Sequence, residues 1–66
     1  MNDFVKPKAK LIGANGNIFN LMGLASSSLK KAGYPEKAKE MTEKIQKGAN
    51  SYDEALCIIM DYVEID

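Results

Sequence analysis

Hydrophobic positions recur at three- and four-residue steps along three stretches of the chain. Ile18, Leu21, Met22, Ala25, Leu29 and Ala32 form the first stripe, the spacing of one face of a helix. Asn17 or a neighbour can cap its start, and Gly33 stands where a helix-ending glycine belongs. Tyr34, Ala38, Met41 and Ile45 form a second, narrower stripe. Pro35 suits the first turn of that helix, and Gly48 closes it. The third stripe is Tyr52, Ala55, Leu56, Ile59 and Val63. It opens on Ser51-Tyr52-Asp53-Glu54, the spacing of a capping box.

The third helix is apolar beyond its stripe. Cys57, Ile58, Met60 and Tyr62 spread hydrophobic surface around its other side. A helix of this kind is central in its fold or shared with a second chain. Ile58, Met60 and Tyr62 are therefore the expected protein-interface residues. Cys57, inside an apolar run and without a neighbouring base, is expected to be buried and inert.

The two ends read differently. Lys8-Ala9-Lys10-Leu11-Ile12 alternates as a short strand does, and Asn15-Gly16 signals a turn into the first helix. Residues 1–7, broken by Pro7, are expected to form a flexible arm. Tyr62-Val63-Glu64-Ile65 has two open readings. The third helix can run on to the end, although Glu64 and Asp66 suit a helix C-terminus poorly. Alternatively these residues form a strand beside residues 8–12, with lysine facing glutamate. The expected fold is mainly α: a short N-terminal strand, an Asn-Gly turn and three helices in one small domain over residues 8–66. Their connections are short, so neighbouring helices should run close to antiparallel.

Composition narrows the chemistry. The 66 residues include no His, Arg or Trp and a single Cys. Proton shuttling near neutral pH, bidentate phosphate binding and cysteine pairing all lose their usual residues. Gly13-Ala14-Asn15-Gly16-Asn17 precedes a helix but lacks the Lys-Ser/Thr of a phosphate loop, and reads as a tight turn. Asp61, Glu64 and Asp66 read as a solvated acidic terminus. No catalytic residue, metal site or cofactor is expected.

Formal net charge is zero, yet it is unevenly spread. Residues 1–48 hold all nine lysines and four acidic residues, a net +5, while residues 49–66 hold five acidic residues and no lysine. The halves can neutralise each other on folding, or the basic part can face a polyanion. Lys6, Lys8, Lys10, Lys30 and Lys31 are the residues such a nucleic-acid contact would use. Against it stands the lack of the Arg, Asn and Gln set of a base-reading helix. Ser26-Ser27-Ser28, with Gly23 and Ala25, reads as a polar surface patch or a docking face for a partner element. The start of the chain has no apolar leader, and the longest apolar run, Ala55–Met60, is far short of a membrane span. A cytoplasmic, non-membrane location is the expectation.

Two segments carry a family resemblance. Lys10-Leu11-Ile12-Gly13, followed by Asn15-Gly16-Asn17-Ile18-Phe19-Asn20-Leu21-Met22-Gly23, and the ending Met60-Asp61-Tyr62-Val63-Glu64-Ile65 resemble small proteins carried by bacterial prophages and mobile elements. The resemblance spans residues 8–66. It implies a phage or mobile-element accessory role but carries over no functional residues. Small phage proteins without catalytic residues commonly bind and block a host protein. The functional expectation is a non-catalytic protein-interaction module, with a homodimer among its assemblies. The alternative is a small nucleic-acid-binding regulator using the lysines named above.

Overall fold

Three helices carry the fold in the computed structural model, which describes residues 4–11 and 16–65. They are α1 Ile18–Lys31, α2 Pro35–Gly48 and α3 Tyr52–Tyr62. Two short strands, β1 Lys8–Ala9 and β2 Glu64–Ile65, flank them in the chain. Each helix packs on the other two. Leu21, Ala25 and Leu29 of α1, Ala38, Met41 and Ile45 of α2, and Ala55, Ile59 and Tyr62 of α3 meet in one core. The stripes at three- and four-residue steps thus hold the buried faces, although Ala32 and Tyr52 within them are exposed.

The helix ends follow local chemistry. Asn17 caps α1, its side-chain oxygen accepting the Phe19 N–H at 2.8 Å. Lys30 and Lys31 fill the last turn of α1, where cations suit the dipole. Gly33 then takes φ 93°, a left-handed conformation costly for a residue with a Cβ. Pro35 opens α2. Gly48 is its last helical residue, and Ala49 turns the chain to extended backbone at ψ 123°. At α3, Ser51 Oγ accepts the Glu54 N–H at 3.2 Å. The return bond of the box is displaced by one residue: Glu54 Oε1 accepts from the Asn50 N–H at 3.1 Å.

Of the two readings of the C-terminus, the strand is the one adopted. Helix α3 stops at Tyr62, and Val63 is extended at φ −137°, ψ 156°. β2 pairs with β1 in parallel, aligning Lys8 with Glu64 and Ala9 with Ile65. A parallel pair needs a long crossover, and here the whole three-helix segment supplies it. The first strand is shorter than the alternation over 8–12 suggests. The Leu11 N–H turns back to the Ala9 carbonyl at 3.0 Å, bending the chain while keeping Leu11 buried. Ile12, most of the Asn-Gly turn segment and Asp66 lie outside the described residues.

Phe4–Pro7 make specific contacts. The Phe4 ring meets Tyr34 edge-on at 4.8 Å, and the Lys37 ammonium lies 5.4 Å from the Phe4 ring centre. The Val5 N–H donates to Tyr34 Oη at 3.4 Å, and the Pro7 carbonyl accepts from the Glu64 N–H at 2.9 Å.

Candidate functional site

The surface between the start of α1, the end of α2 and the start of α3 forms an apolar groove of about 490 Å³. The link Ala49–Ser51 between α2 and α3 lines it, and Ile45 and Ala55, both buried, lie at its floor. Ile18 and Met22 come from the first turns of α1, on the half-buried edge of its stripe. Phe19 and Tyr52 form the lips, and both are exposed, Phe19 at 73% and Tyr52 at 45%. No lining residue is charged. Such a surface can bury apolar side chains, and among the described residues its polar lining is Gln46, Asn50, Ser51 and the Tyr52 hydroxyl.

The residues expected at a protein interface divide. Met60 is exposed at 48%, whereas Ile58 is half-buried against the core. Tyr62 is a correction. It is 4% exposed because positions 55, 59 and 62 continue the core stripe by steps of four and three. Its hydroxyl donates to Glu40 Oε2 on α2. Cys57 is a second correction: it is exposed rather than buried, lying about 200° around the helix from both Ala55 and Ile59. Tyr52, counted in the third stripe, is a third, since it lies in the first turn and faces the groove rim.

A polar cluster surrounds the Tyr62 hydroxyl. Lys37 and Lys44 each place Nζ 4.0 Å from Glu40 Oε2, and the Lys44 ammonium lies 5.4 Å from the Tyr62 ring centre. Glu40 titrates below its ordinary range, chiefly through the Tyr62 hydrogen bond and then through the two lysines. Tyr62 titrates above its ordinary range, through burial first and the Glu40 contact second. Lys44 is pushed up, first by the Tyr62 phenol and then by Glu40 and Asp61. The cluster ties α2 to α3.

The candidate nucleic-acid lysines are dispersed in their roles. Lys6 Nζ donates to the Met60 carbonyl at 3.0 Å, and Lys8 is aligned with Glu64 in the sheet. Lys10, Lys30 and Lys31 are exposed. The basic segment thus runs beside the acidic C-terminal strand, which partly neutralises its field. Among the described residues no three His, Cys, Asp or Glu side chains group as a metal site would. Among the described residues no helix is long and apolar enough to cross a membrane. In the serine run, Ser27 is exposed while Ser26 and Ser28 are half-buried.

No family model, curated protein or solved structure matches this chain.

Periodicity marks buried faces, and so passed over the groove. One signal was available: Phe19 is a large aromatic outside the first stripe, beside Asn17 and Asn20.

Proposed function

We propose that this domain is a non-catalytic protein-interaction module that works through its exposed apolar residues. The observation that carries this reading is the uncharged groove with Phe19 and Tyr52 standing at its lips. Exposed aromatic side chains beside an apolar hollow are the usual anchors of protein interfaces. Met60, at the far end of α3, is a second apolar contact point. An accessory role in a phage or mobile element, with a host protein as partner, belongs to this proposal and is supported by the resemblance of residues 8–66.

A photo-reactive benzoylphenylalanine placed at position 19 or at position 60 tests it in cells expressing the chain. Covalent adducts with a polypeptide at either position are expected. No adduct at either, with the protein folded and abundant, would overturn the reading. Adducts to nucleic acid instead would favour the regulator alternative.

A further inference from the structure

We infer that residues 4–7 are a displaceable strap over a seat for an extended segment of another polypeptide, one that carries an aromatic ring and, two positions on, a lysine. The seat lies at the opposite end of α3 from the groove and gives the interaction reading above a second face. Pro7 biases Lys6 before it toward extended backbone. In an extended chain alternate side chains share a side, and the strap shows that alternation. Phe4 meets Tyr34 edge-on at 4.8 Å, with the Lys37 ammonium 5.4 Å from its ring centre. Lys6 Nζ donates to the Met60 carbonyl at 3.0 Å. Val5, between them, is 71% exposed. The backbone is held along the same strip: the Val5 N–H donates to Tyr34 Oη, and the Pro7 carbonyl accepts from the Glu64 N–H. Backbone bonds that set register, with a receptor for alternate side chains, are how extended peptides are recognised.

The strap is lightly held. None of residues 4–7 is among the buried residues of the core, and Phe4 only packs against its edge. The Val5 and Lys6 hydrogen bonds lie open to solvent. Segments of this kind open locally while a core stays closed. Opening uncovers groups that need a replacement. The last turn of α3 has no basic residue, so the Met60 carbonyl favours an incoming cation. Tyr34 loses its ring partner, and the Glu64 N–H loses its acceptor. The seat also continues past Phe4. Tyr34 and Lys37 lead into a hollow of about 420 Å³, lined further by Gly33, Pro35, Glu36 and Glu40. The strap has the advantage of its tether, and an incoming segment offsets that advantage by filling the hollow as well.

Fluorescence polarisation with a labelled synthetic peptide of residues 2–10 tests the inference on the full chain. In the parent chain the seat is filled, so apparent affinity is reduced to the fraction with the strap open. Phe4→Ala in the chain weakens the strap and frees the seat. The expected result is peptide binding about tenfold or more tighter for that variant than for the parent chain. Lys6→Ala in the chain removes an exposed side chain, leaves the core untouched and should shift affinity in the same direction. A peptide carrying Phe4→Ala or Lys6→Ala should bind about tenfold or more weaker than the native peptide, as loss of an anchor implies. Circular dichroism checks that each chain is folded. Folded variants that do not bind the peptide, equal affinity of parent and variants, or substituted peptides that bind as well as the native one would overturn the inference. Failure of the peptide alongside adducts at position 19 or 60 in cells overturns the strap and leaves the interaction reading standing. Peptide binding without any such adduct keeps the strap and removes that reading.

Discussion

Tyr62 joins the core to the surface of α2: its ring is 4% exposed while its hydroxyl reaches Glu40. The contact needs a protonated phenol and an ionised carboxylate, which fixes its pH window. Tyr62 titrates above its ordinary value of 10.0, so its contribution is complete below that value and is lost as pH rises through the raised one. Glu40 titrates below 4.5, so its contribution is present above 4.5 and is lost as pH falls through the lowered value. Thermal melts across pH should therefore show Tyr62→Phe lowering stability near neutrality and flattening both flanks. Tyr62→Glu should unfold the domain, since it places a charge in the core. Gly33 gives a cleaner case. Nothing lies within 4 Å of where its Cβ would be, so Gly33→Ala should cost about 1 kcal/mol from the φ of 93° alone, measured by urea unfolding. Leu29, fully buried, is the opposite case. Leu29→Ala should cost about 2–5 kcal/mol, comparable to the whole stability of so short a chain.

At the scale of elements, the helices were the legible part. Their stripes, the Asn17 and Ser51 caps, Pro35 and Gly33 all act locally, so residue type and spacing suffice to place them. Ser51→Ala should lower stability by about 1 kcal/mol, seen as a drop in Tm. The end of α3 was not legible, because its helper comes from far along the chain. With no basic residue in its last turn, the terminus accepts Lys6 Nζ at the Met60 carbonyl from 54 residues away. Val63 then leaves the helix and buries its side chain to 1% exposure, helped by the β-branched preference for extended backbone. The groove was illegible for a related reason. It is lined by residues of three helices and the α2–α3 link together, and no single stripe encodes it.

At the scale of the molecule, the uneven charge along the chain becomes a contact between its two ends. The basic N-terminal strand lies beside the acidic C-terminal one, Lys8 aligned with Glu64, and the helices form the loop between them. Removing residues 63–66 takes away buried Val63 and the pairing partner of β1 together. The truncated chain should lose its cooperative thermal transition by circular dichroism, well beyond what loss of surface residues would cause. By itself the sequence determined where the helices lie, how they begin and which faces they bury, because capping, propensity and periodicity are short-range. It also determined the scarcity of reactive side chains. Only the tertiary structure decided that the termini pair in parallel and that Phe19 and Tyr52 flank an open groove. Each of these depends on which surfaces meet across long stretches of chain, and packing in three dimensions is what selects them.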